Sequence, residues 1–216
     1  MVEVAVFRVD LVKGGSGDLA CLSVDERAAA AKFLRGADGR AWASARAALR
    51  TVLSGWLDVP AARISFERGD RGRLLLGRDM PAGVSFNMAR TEGVALVAVS
   101  TAPAVGVDIE RMRPVSNLDA VARRVLRADA CVAIADAPEA ERVSRFYQEW
   151  VRHEARLKCR GTGLVEPAED DGRTDDLTIV DLAVAAPCAA AVAVVGLAAT
   201  CTLVDHPAPI DEASVA

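Results

Sequence analysis

The stretch from Leu182 to Val204 contains no charged residue, and this constrains the fold more than any other feature of the sequence. A run of this length can cross a lipid bilayer, so it is either a transmembrane helix or part of a buried core. Alanine is its commonest residue, at nine of 23 positions, and Pro187 and Gly196 interrupt it. Alanine favours membrane insertion much less than Leu, Ile, Phe and Val do. We therefore predict two buried strands around a turn.

Composition and charge narrow the class of protein. Hydrophobic residues make up 52% of the chain and charged residues 26%, which is typical of a folded globular core. The net charge of −4 and the pI near 5.3 argue against nonspecific nucleic-acid binding and against a basic membrane-surface protein. The five cysteines are scattered, without a Cys-x-x-Cys pair, and the N-terminus lacks the pattern of a signal peptide. We expect a cytoplasmic protein with free thiols.

The order of predicted elements is similar in the two halves of the chain. A helix that starts after Ser23, with Glu26 completing a capping box, and a strand that begins at Val105 are the clearest local signals. Helices are predicted over 24–34, 39–57, 118–126 and 139–159. Strands are predicted over 2–11, 63–67, 73–76, 84–87, 93–100, 105–110, 177–184, 189–197 and 200–204. We predict an α+β fold with two similar halves, 1–103 and 104–216, related by a pseudo-twofold axis, each a small antiparallel sheet packed on a long helix.

The segment Gly-Val-Asp-Ile-Glu at 106–110 carries two carboxylates. Residues two apart on a strand point to the same face, so Asp108 and Glu110 lie together. Paired carboxylates are suitable ligands for a hard cation such as Mg²⁺. A solvated edge strand has the same alternation, so this segment alone does not decide between a metal site and a solvated strand.

A second segment places Trp150, Glu154 and Lys158 four residues apart on one face of a helix, with Gly161 as a stop signal. In isolation this is typical of a buried tryptophan followed by an ordinary surface ion pair. In combination, Gly-x-Asp-x-Glu followed by Trp-x-x-x-Glu-Ala-x-x-Lys-x-x-Gly-x-Gly-Leu resembles the 4′-phosphopantetheinyl transferase superfamily, in its larger Sfp-type class of two fused pseudo-repeats. Segments 45–50, 72–74 and 86–90 extend the resemblance, which covers about residues 20–200.

The resemblance implies an enzyme that transfers the phosphopantetheine arm of coenzyme A to a serine of an acyl or peptidyl carrier protein, releasing 3′,5′-ADP. It implies that Asp108, Glu110 and Glu154 bind Mg²⁺, and that Asp108, Glu154 and Lys158 are catalytic. Glu154, or a water that it holds, would accept the serine proton, and Lys158 would stabilise charge on the phosphate.

The coenzyme A positions depart from the family pattern. The usual Ser-His pair is replaced by Ala89 and Arg90, and the usual lysine before the catalytic glutamate is His153. Arginine can bind phosphate bidentately, which makes Arg90, Arg73, Arg46 and Arg40 candidate ligands of coenzyme A. His153 and Ala89 are also assigned to the cofactor, because they stand at positions that the family uses for it. These departures leave an alternative open, a repurposed homologue that binds coenzyme A or a nucleotide without transferring anything.

The protein partner is expected to be a carrier domain, and the enzyme a monomer that binds neither nucleic acid nor membrane. Carrier proteins of this kind are usually acidic, so a local cluster of arginines is a candidate docking surface. The cluster follows the Asp108 strand and consists of Arg111, Arg113, Arg123, Arg124 and Arg127. A solvated helix face explains the same residues equally well. The sequence leaves open whether the carrier belongs to polyketide, peptide or fatty-acid synthesis.

Overall fold

The computed structural model describes residues 2–11, 19–69, 72–161, 176–196 and 199–206. The helices in these ranges are α1 Val24–Ala31, α2 Gly36–Leu57, α3 Leu118–Val125, α4 Ala128–Ala135 and α5 Arg142–Arg160. The strands are β1 Val2–Asp10, β2 Phe66–Arg68, β3 Leu74–Leu76, β4 Ser85–Thr91, β5 Val94–Ser100, β6 Val105–Arg111, β7 Leu177–Asp181, β8 Cys188–Val195 and β9 Ala199–His206.

The helix boundaries follow the predicted signals closely. Ser23 accepts a hydrogen bond from the backbone N–H of Glu26, whose carboxylate accepts one from the N–H of Ser23, so the predicted capping box is confirmed. Gly161 ends α5 in the left-handed conformation, with φ of 71°. Some predictions differ from the structure: α1 stops at Ala31 instead of 34, α2 begins at Gly36 instead of 39, α5 begins at Arg142 instead of 139, and α4 was not predicted. The alanine-rich α4 lacks a capping side chain, so its sequence gives little local signal.

Two sheets, each packed on a long helix, confirm the predicted α+β architecture. The first sheet has the order β4-β5-β1-β9 and the second has the order β6-β8-β7. Leu49 and Leu53 of α2 pack against Val97 and Val99 of the first sheet. On the other side of the molecule, α5 packs its buried Val151, Ala155 and Cys159 against the alanines of β8. Alanines there allow a helix to lie close to the strands.

The uncharged stretch forms strands, as its composition predicts. β8 lies within the stretch and β9 extends beyond its end. Ala189 to Val194 are buried. No helix in the described ranges is long and apolar enough to span a membrane. The last strand nevertheless lies where the sequence did not suggest, because β9 pairs in parallel with β1 of the first sheet. The predicted division at 103/104 assigns β9 to the second half, whereas in space it extends the sheet of the first.

The two sheets meet along β4 and β6, and side chains join them there. The N–H of Val107 donates to Asn87 Oδ1 at 3.0 Å, and the N–H of Arg111 donates to Thr91 Oγ1 at 3.2 Å. The buried side chains Val105, Val107 and Ile109 belong to the core cluster that also contains Val4 and Leu96 of the first sheet. One face of β6 is therefore fixed against the first half of the chain, and the other face is turned toward α5.

Candidate active site

Gly106 allows α5 to lie directly on β6. A Cβ atom at residue 106 would lie 2.2 Å from the carbonyl oxygen of Ala155 and 2.3 Å from the backbone nitrogen of Cys159. Only glycine permits such a close approach of helix and strand. The side chains two and four residues further along the strand, Asp108 and Glu110, face the same helix, as the alternation predicts.

An ion pair between the two motifs forms the centre of the candidate site. Lys158 Nζ of α5 donates a hydrogen bond to Asp108 Oδ1 at 2.5 Å. Asp108 is 4% exposed and Glu154, one turn before Lys158, is 7% exposed. Glu110 is half-buried, and the neighbouring Trp150 favours the charged form of its carboxylate, which partly opposes the rise of its pKa. The structure thus brings Asp108, Glu110, Glu154 and Lys158 to one interface between strand and helix.

Burial raises the pKa values of the three carboxyl groups, and the charge of Asp108 raises those of Glu110 and Glu154 further. For Glu154, burial raises the pKa above its usual range, the charge of Asp108 raises it further, and the charge of Lys158 partly opposes both. Burial also raises the pKa of Asp108, against the charge and hydrogen bond of Lys158. The pKa of Glu110 is raised by burial and by Asp108. Acidic groups held together against their own repulsion are typical of catalytic and metal sites.

The donor chemistry of this interface fits a hard divalent cation. Asp108 Oδ2 and Glu154 Oε1 are buried without a hydrogen-bond partner in the described part of the chain. Such oxygens are costly to bury unless something neutralises them. In the present arrangement Lys158 supplies the positive charge, and no group of three or more His, Cys, Asp or Glu side chains in the described ranges is close enough to hold a metal ion. Carboxylate oxygens are the type of ligand that Mg²⁺ prefers. The assignment of Asp108, Glu110 and Glu154 as its ligands stays a prediction.

A cavity of about 300 Å³ opens beside the ion pair, between the two halves. Lys158, Leu157 and Gly161 line it from the second half, and residues of α2, β3 and β4 line it from the first. Arg46 of α2 is buried in its wall, with its guanidinium over the rings of Trp42 and Phe66 at 5.2 and 5.4 Å. Arg46 Nε and Nη1 have no hydrogen-bond partner among the described residues, although Glu26 Oε1 lies 3.6 Å from Nε. Burial lowers the pKa of Arg46, as expected for a cation without full solvation.

The other residues assigned to coenzyme A lie in different surroundings. Arg73 lines the cavity, but its guanidinium donates to three backbone carbonyls. Arg40 and Arg90 are exposed and are not among the residues that line the cavity. Ala89 is buried in the core between the sheets. His153 is half-buried beside Trp150, and burial lowers its pKa, so it is neutral near pH 7. These assignments stay predictions.

Three residues that organise the site were not given these roles from sequence. Asn87 joins β4 to the strand that carries Asp108, Trp150 favours the charged form of Glu110 and so moderates its pKa, and Gly106 sets the distance to α5. Each lies inside a segment that carried the resemblance, so the signal was present. The sequence did not show which partner each of these residues contacts.

Fold and site together define an α+β protein with a buried acidic centre and an adjoining cavity lined by cationic groups. The profile of the 4′-phosphopantetheinyl transferase superfamily matches residues 104–192. The 4′-phosphopantetheinyl transferase HetI of Nostoc sp. strain PCC 7120 is 32% identical over 171 residues, which cover 77% of this chain and 72% of HetI. The chain belongs to the 4′-phosphopantetheinyl transferase superfamily, and the predicted family is confirmed.

More distant relatives have the same described activity. The 4′-phosphopantetheinyl transferase psf-1 of Bacillus pumilus is 29% identical over 143 residues, covering 66% of this chain and 59% of psf-1. The transferase gsp of Aneurinibacillus migulanus is 26% identical over 120 residues, covering 55% and 47%. The chain thus spans about half to three quarters of the length of these three relatives. It is an enzyme of the transferase class, as the sequence predicted.

Proposed function

We propose that the protein transfers the phosphopantetheine arm of coenzyme A to a serine of an acyl or peptidyl carrier protein and releases 3′,5′-ADP. The observation that carries the proposal is the position of Lys158. Its side chain lines the cavity and is also paired with Asp108. A substrate in the cavity would therefore have its reacting phosphate beside a lysine and buried carboxylates.

The cavity has suitable partners for the two chemical parts of coenzyme A. Arg46 lines the cavity, and a rotation of its guanidinium would let the nitrogens that have no partner among the described residues donate to a phosphate. Leu49, Leu74 and Met88 line the same cavity and offer apolar contact for a base or for the pantetheine chain. Binding that fixes both parts would leave the pyrophosphate next to Lys158.

The transfer needs a base and a group that stabilises the leaving oxygen. The serine oxygen forms a bond to the phosphorus that carries pantetheine, its proton passes to the Glu154 carboxylate, and the bond to the oxygen of 3′,5′-ADP breaks. Lys158 then stabilises the charge that develops on the phosphate oxygens. Glu154 suits the base, because burial and Asp108 raise its pKa before a cation binds, and a carboxylate that gives one oxygen to the cation keeps the other for the proton.

We further propose that Asp108, Glu110 and Glu154 hold Mg²⁺ when coenzyme A is bound. When bound, the ion would neutralise the pyrophosphate and orient it for in-line attack. The support is the pair of unpartnered buried oxygens on Asp108 and Glu154. For all three carboxylates to bind the ion, Lys158 must leave Asp108 and pair instead with a phosphate oxygen of the substrate. Lys158 can do so because it also lines the cavity.

The proposed reaction is tested by its small product. Incubation with Mg²⁺, coenzyme A and an apo-carrier should release 3′,5′-ADP in proportion to the carrier, measured by chromatography. A chelator should stop the release, and a carrier with its serine replaced by alanine should give none. Release without a carrier would instead show hydrolysis of coenzyme A and contradict the proposal, and release that survives metal removal would contradict the metal site.

The docking of the carrier is assigned to Arg123 and Arg124. Both are exposed at the end of α3, whereas Arg111 and Arg113 pair with Glu92 and Arg127 pairs with Asp129. An acidic carrier would be attracted to these exposed charges.

Reversing both charges, R123E with R124E, should raise KM for the carrier and leave KM for coenzyme A unchanged. The expected increase is about tenfold or more at low salt, and it should shrink as ionic strength rises. Arg63, exposed in the first half, provides the matched control as R63E. An equal rise in both KM values would exclude docking at this surface.

The proposal also places the enzyme in the cytoplasm, as a monomer. Its five cysteines are all free thiols, which suits a reducing compartment.

A further inference from the structure

The guanidinium of Arg73 joins the two halves of the molecule. Arg73 precedes β3 in the first half. Its Nη1 donates to the carbonyl oxygens of Lys158 at 2.7 Å and Cys159 at 3.1 Å, and its Nη2 donates to the carbonyl oxygen of Val105 at 3.1 Å. All three acceptors belong to the second half.

These carbonyls lie at the ends of the two elements that build the active site. The carbonyls of Lys158 and Cys159 are in the last turn of α5, where helix carbonyls have no intrahelical partner. The carbonyl of Val105 opens β6, three residues before Asp108. The guanidinium of Arg73 therefore satisfies carbonyls at the end of the helix that carries Lys158, and it links that helix to the strand that carries Asp108. A positive charge also favours a helix C-terminus.

The helix ends in a way that makes room for this arginine. Gly161 is in the left-handed conformation, and a Cβ atom there would lie 3.3 Å from Arg73 Nη1. Burial lowers the pKa of Arg73, in keeping with a guanidinium largely removed from water. Nη1 and Nη2 of Arg73 are committed to carbonyls, and its Nε, which has no hydrogen-bond partner among the described residues, is buried and does not face the cavity that Arg73 borders, so the side chain offers little to a phosphate.

We propose that Arg73 is a positioning residue, which fixes the Lys158 turn of α5 against β6, and that it is not a ligand of coenzyme A. The catalytic consequence rests on the proposed function, while the structural role does not. Loss of the arginine would release the last turn of α5, so Lys158 would no longer be held at Asp108. Misplacement of a catalytic group by about 1 Å can cost about 10²-fold in rate.

β2 and β3 pair antiparallel, and Arg73 lies in the turn between them. The test compares R73M and R73K with R78M, which removes Arg78, an arginine just after β3 whose side chain is 93% exposed. Amide hydrogen exchange, measured by mass spectrometry, should be faster at 157–161 in R73M and unchanged elsewhere. Calorimetry should give a Kd for coenzyme A within about threefold of the wild-type value, while kcat falls about 10- to 100-fold. R73K, which can satisfy part of the contacts, should recover part of kcat, and R78M should match the wild type.

Two results would overturn the positioning role. One is a Kd for coenzyme A raised tenfold or more with unchanged exchange at 157–161, which would make Arg73 a cofactor ligand. The other is faster exchange throughout the chain in both R73M and R73K, which would make it a general stability residue. If the wild type transfers nothing to any carrier, the proposed function fails, but the exchange measurement still decides whether Arg73 holds the helix end.

Discussion

Replacing Glu154 by glutamine should lower kcat for phosphopantetheine transfer by roughly 10²–10⁴-fold, the range typical of a lost general base. Glutamine keeps the size and much of the polarity of the side chain but cannot accept the serine proton. It also replaces one carboxylate oxygen of a proposed Mg²⁺ ligand by an amide nitrogen and removes the negative charge. The loss should therefore persist at saturating coenzyme A and saturating carrier.

The same substitution should leave stability unchanged or increase it. Burial and Asp108 raise the pKa of Glu154 in the folded protein. A carboxyl group whose pKa is raised by folding destabilises the folded state above its unfolded pKa, and the penalty grows as pH rises through the folded pKa. E154Q removes this penalty at neutral pH and above, so its advantage over the wild type should disappear at acid pH.

The measurements are steady-state kinetics and urea unfolding of E154Q at several pH values. Glu149→Gln on the same helix is the matched control, since Glu149 forms a partly buried pair with Arg152 at 2.9 Å that glutamine can keep as a hydrogen bond. This control should change neither activity nor stability by much. Activity of E154Q within a few-fold of the wild type would refute Glu154 as the base.

Gly106→Ala should strongly destabilise the folded protein, although it adds only one methyl group. The added Cβ would lie 2.2 to 2.9 Å from three backbone atoms of Ala155 and Cys159. Backbone cannot move aside as a flexible side chain can, so α5 must shift away from β6. We expect a loss of about 3 kcal/mol or more in the free energy of unfolding, at or beyond the upper end of typical overpacking.

Urea unfolding of Gly106→Ala checks this expectation, with Gly55→Ala as the matched control. Gly55 is exposed in α2, and a Cβ there meets no atom within 4 Å. Alanine is the better helix former, so this control should gain about 0.5–1 kcal/mol. Destabilisation of Gly106→Ala by less than about 1 kcal/mol would show that α5 does not pack this closely on β6.

The acidic centre could be predicted from sequence because its geometry is largely local. The period of two in a strand places Asp108 and Glu110 on one face, and the spacing of four in a helix places Glu154 and Lys158 on another. The resemblance then suggested that the two faces meet. The direct pairing of Lys158 with Asp108 could not be read from either segment alone, because it depends on how closely Gly106 lets the helix approach.

The cofactor residues were harder to assign, because a long arginine can point in many directions. Arg46 and Arg73 both line the cavity, and both have a buried Nε without a hydrogen-bond partner among the described residues. Nη1 and Nη2 of Arg73 donate to carbonyls of α5 and β6, whereas Nη1 of Arg46 has no such partner. The placement of β9 beside β1 was also beyond local reasoning, since parallel pairing between the two ends of a chain leaves no short-range signal. Likewise, α4 could not be predicted from the sequence pattern, because it has no capping side chain.

The central claim, transfer of phosphopantetheine to a carrier, is tested most directly by weighing the carrier. Wild-type protein, Mg²⁺ and coenzyme A are incubated with a panel of apo-carriers, and intact masses are measured by mass spectrometry. We predict that at least one carrier gains a single phosphopantetheine arm, and that the gain is lost with a chelator or with E154Q. No gain on any carrier by correctly folded protein would contradict the claim and favour a homologue that binds coenzyme A or a nucleotide without transferring it.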